Sequence, residues 1–284
     1  MSPGDRELVR IRVSQWAVLS VEDFPELENV TSIASTGGWV YAGTPDGLAV
    51  LDWRDAERPM LRNRVGLGPV QGVALSAGRL VAAVGDEVIE LDLARPEHPV
   101  PRDIAKLDGV VTALGASRGR LFVLDGKRVS AFEFGEGKML KKSSEALPED
   151  VGQIGLFRDG VYVAGGKTLA VYSLDERLQL GMADRASVEQ PIETLSHYGR
   201  SIFLNGKSGT RVFELVGKNL NLRAVADYRQ RHWSVDFVPD FEHRRLFKLS
   251  PKGQVELWQI HRRRLDRSRF RDSLKLRYLP KRSE

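Results

Sequence analysis

The sequence contains no cysteine, which excludes disulfides and thiolate-bound metals. No apolar run reaches the roughly 18 residues of a membrane-spanning helix, and no stretch carries the 3.6-residue periodicity of an amphipathic helix. The opening MSPGDRELVR lacks the apolar segment of an export leader. The chain as given therefore reads as cytoplasmic, or as cell-envelope or extracellular if a leader preceded it. The five histidines, His98, His197, His232, His243 and His261, show no metal-ligand spacing. Paired glycines in TGGWVYAG and VAGGKTLA lack the spacing and following helix of a phosphate loop, and no serine sits in a G-x-S-x-G elbow. Nothing here calls for a metal or other cofactor, and the expectation is a protein without catalytic activity.

What the chain has instead is a repeat. Its 284 residues are 42% hydrophobic and 29% charged, enough to bury a sizeable core and too apolar for disorder. Strand-like segments ending in a small loop recur as WVYAGT, RLVAAVG, RLFVLDG, GVYVAGG, RSIFLNG and RRLFKLS. Their matching residues Val40, Leu80, Leu121, Val161, Ile202 and Leu246 are 40, 41, 40, 41 and 44 apart. A second segment follows each (GLAVLD, EVIELD, RVSAFE, TLAVYS, TRVFEL, QVELWQ). A third precedes them, at Ile33, Val73, Leu114, Ile154, Leu195 and Phe237. Two-residue alternation, β-branched content and glycine-rich breaks make each segment a strand. A looser charged segment closes each unit, giving four strands per repeat.

Such a unit cannot bury both faces alone, whereas radially stacked units bury one another's. The expected fold is all-β, a β-propeller forming one domain over residues 1–284. Its blades would be 29–68, 69–109, 110–150, 151–190, 191–231 and 232–272, with a seventh built from 273–284 and 1–28. SLKLRYLPK, from Ser273, matches HWSVDFVPD, from His232, at an offset of 41. WAVLS near the N-terminus matches LAVLD. Each end thus supplies what the other lacks; a six-bladed ring with two loose ends is the alternative.

GLAVLDWRDAERP and EVIELDLARPEHP, Gly47–Pro59 and Glu87–Pro99, resemble the LVIVD repeat of bacterial and archaeal β-propellers. In that repeat a hydrophobic strand ends in aspartate, a polar turn and proline. The resemblance implies a blade and a largely non-catalytic role. Asp52 and Asp92 stand where a turn aspartate accepts backbone N–H bonds. Later repeats carry Glu133, Ser173, Glu214 and Gln259 at that position.

Charge is uneven: the net +5 divides into +7 for His261–Glu284 and −2 for the first 260 residues. Arg262, Arg263, Arg264, Arg267 and Arg269 would lie on an outer strand and suit acidic partners. Tyr228, His232 and Trp53 are the other candidate contact residues. The expected function is a scaffold for protein partners within a larger assembly. Two alternatives stand beside it: a lactonase-like hydrolase or small-ligand binder using the central channel, and a basic surface for nucleic acid or another anionic surface. The first-strand polar residues Thr31, Gln71, Thr112, Gln153, Glu193 and Asp236 converge on no recognisable site.

Overall fold

The computed structural model describes residues 9–14, 17–23, 27, 29–55, 60–148, 151–157, 160–198, 200–207, 209–217, 219–229, 236–240, 245–249 and 255–259, with side chains lying between 27 and 225. All regular structure there is β, and no helix is long and apolar enough to cross a membrane. The chain divides into two compact units, Met1–Leu147 with Glu176–Leu180, and Pro148–Asp175 with Gly181–Glu284.

The first unit opens with the hairpin β1 (Val9–Ser14) and β2 (Ala17–Asp23). Three four-stranded antiparallel meanders follow. They are β3 (Ser32–Thr36), β4 (Trp39–Thr44), β5 (Gly47–Asp52) and β6 (Met60–Val65); β7 (Val70–Ser76), β8 (Arg79–Val84), β9 (Glu87–Asp92) and β10 (Val100–Lys106); and β11 (Ala113–Ser117), β12 (Arg120–Leu124), β13 (Arg128–Phe134) and β14 (Met139–Ala146). The second unit holds β15 (Gln153–Phe157), β16 (Gly160–Gly165), β17 (Thr168–Leu174) and β18 (Leu180–Ser187). Next come β19 (Thr194–Tyr198), β20 (Ser201–Gly206), β21 (Gly209–Val216) and β22 (Asn221–Arg229), then β23 (Asp236–Asp240), β24 (Arg245–Leu249) and β25 (Val255–Gln259).

The hairpin between first and second strands is tight because two successive residues take positive φ. Gly37 and Gly38, Ala77 and Gly78, and Arg118 and Gly119 all do so, as a two-residue turn matched to strand twist requires. The second and third strands are almost wholly buried, and the fourth alternates or is largely exposed. The cores therefore lie between sheets. Trp39, Tyr41 and Leu48 meet Val73, Leu80 and Leu91; Val81 and Val88 meet Leu121 and Phe132. In the second unit Tyr162 and Val171 meet Ile202 and Phe213.

The fourth strand carries a bulge at a constant place. Arg62, Arg102, Lys142 and Val225 have no cross-strand partner in the ladder. Such bulges twist an outer strand away from edge-to-edge pairing. Two bulge residues meet acids at or near the ends of the third strands, and a third acid meets its directly opposite ladder partner. Asp52 pairs with Arg62 at 3.2 Å, Glu133 with Lys142 at 2.9 Å, and Glu214 with Arg223 at 2.6 Å. Asp52 additionally binds Arg54 at 2.7 Å, and that guanidinium holds its carboxyl well below the usual carboxylate range. The turn N–H groups of Arg54 and Ala94 donate to Asp52 and Asp92 at 3.2 and 2.7 Å.

Within each unit a fourth-strand side chain also reaches the start of the next fourth strand. Asp103 Oδ2 accepts the Met139 N–H at 2.6 Å in the first unit, and Asp184 Oδ2 that of Leu222 at 2.6 Å in the second. Neighbouring sheets of a unit are thus joined by polar bonds as well as apolar burial.

Candidate functional site

One sheet departs from the repeat in chemistry. The residues Ser32, Gly43 and Leu48 of the first meander correspond to Gly72, Ala83 and Val88, to Ala113, Leu124 and Val129, and to Gln153, Ala164 and Leu169 in the next three. In β19–β22 the same three positions are Thr194, Asn205 and Thr210. Asn205 and Thr210 are each only 1% exposed, at places that are apolar or glycine elsewhere. They survive burial by bonding to one another. The Asn205 amide donates to Thr194 Oγ1 at 3.0 Å, and Thr210 Oγ1 donates to Asn205 Oδ1 at 2.7 Å.

A pocket of about 180 Å³ opens onto this chain, between the loop Val188–Ile192 and the ends of the β20–β21 hairpin, Leu204–Gly206 and Gly209–Arg211. On its lining, Gly206 lets the β20 end approach the loop closely: a Cβ there would stand 2.4 Å from the Pro191 carbonyl oxygen. Glu189, Gln190 and Arg211 bring charge and amide groups to its lining. Glu193 follows directly. Its N–H donates to Asn205 O at 2.7 Å, its carbonyl accepts the Gln153 amide at 2.6 Å, and its buried Oε2 has no hydrogen-bond partner among the described residues.

At the other end of β19, His197 lies edge-on to Tyr162 with ring centroids 5.4 Å apart, and Phe157 stacks on Tyr162 at 6.0 Å. Burial lifts the Tyr162 phenol far above its usual range and depresses the His197 imidazole. Folded His197 therefore resists a proton that the unfolded chain accepts below about pH 6.5. Its contribution to stability is intact above that pH and is lost progressively as pH falls below it. Urea midpoints at pH 7 and pH 5 are expected to differ by less in His197→Gln than in the parent; an equal difference removes His197 from the acid response.

Of the contact residues expected from sequence, Arg262, Arg263, Arg264, Arg267, Arg269 and His232 lie outside the described residues, and Tyr228 is described only as part of β22. Trp53 is half-buried against the cluster of Leu27, Ala42, Ala49 and Leu51. The first-strand polar residues are largely engaged in holding strands and sheets together. Thr31 donates to Val70 O at 2.7 Å, Gln71 accepts the Gly85 N–H at 2.8 Å, and Thr112 donates to Leu124 O at 3.3 Å. Asn205 and Thr210 escaped sequence reading, although RSIFLNG against GVYVAGG carries the signal: an amide where the preceding repeat has alanine.

No protein-family model matches the chain, and no curated protein does. Solved structures do. A candidate 6-phosphogluconolactonase of Bacteroides fragilis superposes with a TM-score of 0.70 at 10% identity, over 85% of this chain and 83% of that one. Another, from Bacteroides uniformis, gives 0.69 at 13% identity over 86% and 85%. A Lactobacillus plantarum protein gives 0.71 at 14% identity over 85% and 84%. These likenesses correct the expectation of a non-enzymatic scaffold for protein partners, because the fold is shared with candidate lactonases and the alternative lactonase-like reading is the better supported. The physical reason is that residues from several strands and loops meet at a propeller site, so no contiguous motif marks it. What the likeness establishes for this chain is the fold: it is an all-β protein of the β-propeller type.

Proposed function

We propose that the protein is a lactonase-like hydrolase that opens a small sugar-derived lactone in the β19–β22 pocket. The carrying observation is the hydrogen-bonded Thr194–Asn205–Thr210 chain, whose buried Asn205 and Thr210 line the pocket and which no other described four-stranded sheet has. The lactonase names of two fold neighbours support the reaction class. Lactone opening needs water added to the carbonyl carbon, hydrogen-bond donors for the oxyanion and a proton for the departing ring oxygen. Asn205, on the pocket lining, supplies its second amide N–H; Glu193, next in sequence to the lining residue Ile192 and carrying a buried oxygen with no partner among the described residues, is the base that takes the proton from water and returns it to the departing ring oxygen. Proton release from 6-phosphogluconolactone and from its unphosphorylated counterpart, followed at constant pH, is expected to exceed the spontaneous rate. Glu193→Gln is expected to lower the enzymatic rate by about 10²-fold or more. A parent protein no faster than buffer sinks the reading.

We also propose that the propeller has seven blades, with Ser273–Pro280 as first strand beside β1 and β2. In support, the described residues form seven sheets, the first of which has only two strands. Ile33 is 57% exposed where its counterpart Val73 is 6%.

A further inference from the structure

The pocket floor has a polarity of its own. Thr194, Asn205 and Thr210 together carry four side-chain hydrogens, one on each hydroxyl and two on the amide. Their two mutual bonds use two of these. The balance is the same if the amide is turned over, since each hydroxyl then exchanges its role with the other. Two donor hydrogens remain, one on the Asn205 amide and one on a threonine hydroxyl, and no other side-chain bond of these three residues is present among the described residues; Asn205 and Thr210 line the pocket. The carbonyl oxygen of the amide is already engaged by Thr210. Arg211, on the wall, adds further N–H groups and a positive charge.

A buried donor left without an acceptor costs about 1–3 kcal/mol, and a chain assembled in one sheet only is not required by the repeat. Asn205 and Thr210 replace Ala164 and Leu169 of the preceding sheet, whose side chains need no partner. The same backbone evidently tolerates the apolar pair. The polar pair therefore answers to something in the pocket.

We propose that the floor recognises an acceptor-only oxygen group, the lactone carbonyl or the carboxylate formed on opening, through the surplus amide N–H of Asn205. This deepens the proposed function and rests on it for the ligand class. A carboxylate accepts at every lone pair and brings no hydrogen that the floor would have to accept. A neutral sugar hydroxyl brings a hydrogen of its own, for which the floor has little capacity. The charged lining residues Glu189 and Arg211 balance one another, so it is the floor that makes the pocket prefer a sugar acid to the parent aldose.

The test uses the full chain and two probes, sodium gluconate and glucose, in calorimetric titrations. Gluconate is expected to bind the parent at least about tenfold more tightly than glucose. Asn205→Asp replaces donors by a negative charge and is expected to weaken gluconate by more than about tenfold. The double variant Asn205→Ala with Thr210→Leu reproduces the preceding sheet's pair, so it should fold with an unchanged melting temperature and lose the preference for gluconate. Equal affinities for the two probes in the parent overturn the inference, as does full gluconate binding by the double variant. Lactone turnover separates the two levels. Turnover that persists in a double variant still binding gluconate removes Asn205 from both recognition and the oxyanion role and leaves a hydrolase resting on Glu193 alone; selective gluconate binding without turnover supports the floor and removes the hydrolase.

Discussion

A chain ending at residue 272 is expected to lose its cooperative unfolding transition. Val73, Leu114 and Leu195, at one repeat position, pack into clusters that each draw on two adjacent sheets. Ile33, at the same position of the first meander, is 57% exposed, so that face has no equivalent cover among the described residues. The segment from Ser273 matches the preceding first strand at Leu274 with Trp233, Leu276 with Val235, Tyr278 with Phe237 and Pro280 with Pro239. Burying each large apolar side chain contributes about 1.5–3 kcal/mol. Leu274, Leu276, Tyr278 and Leu279 together then rival the about 5–15 kcal/mol that holds a whole domain folded. Calorimetry of the truncated protein decides the matter: an unshifted transition eliminates the seventh blade.

Gly155→Ala is expected to destabilise the second unit by about 1–3 kcal/mol, as overpacking does. The added Cβ would stand 2.0 Å from Tyr162 Cε2 and 2.4 Å from its hydroxyl oxygen. That cost outweighs the about 0.4–1 kcal/mol that alanine returns by restricting the unfolded chain. The comparison that makes this specific lies within the molecule. Ala34 and Tyr41 are the same register pair in the first meander, yet Tyr41 reaches Pro96 O with its hydroxyl at 3.2 Å. With glycine opposite, the Tyr162 ring occupies the space over β15, held by Phe157 and His197, and its hydroxyl has no partner among the described residues. Tyr162→Phe should therefore be neutral or stabilising, while Tyr41→Phe loses a bond worth about 0.5–1.5 kcal/mol. The melting temperature of Gly155→Ala should fall by about 2–4 °C for each kcal/mol lost. An unaltered melting temperature for Gly155→Ala, or equal losses for the two phenylalanine variants, contradicts this packing.

The strands and their period were legible because each is written in a local code: alternating side chains, β-branched residues and a glycine where two positive φ values are needed, as in TGGWV and SRGRL. The turn role of Asp52 and Asp92 was equally local, since acceptor and donor are two residues apart. The bulges were not legible. Arg62, Arg102 and Lys142 look like any exposed strand residue, and only the pairing across to the third strand shows that each is the extra one.

The candidate site was hidden for a related reason. Thr194, Asn205 and Thr210 are unremarkable one at a time, and their chemistry exists only because three strands bring their side chains together. No contiguous motif marks such a site, because the fold builds it from residues far apart in the chain.

By itself the sequence determined that this protein is all-β and that one four-stranded unit is written repeatedly, because strand periodicity and turn propensity are properties of neighbours along the chain. Only the tertiary structure decided which polar residues are buried together and which acid meets which base. It also decided where a pocket opens, because those outcomes depend on register and sheet stacking, through which residues tens of positions apart come within a hydrogen bond of one another.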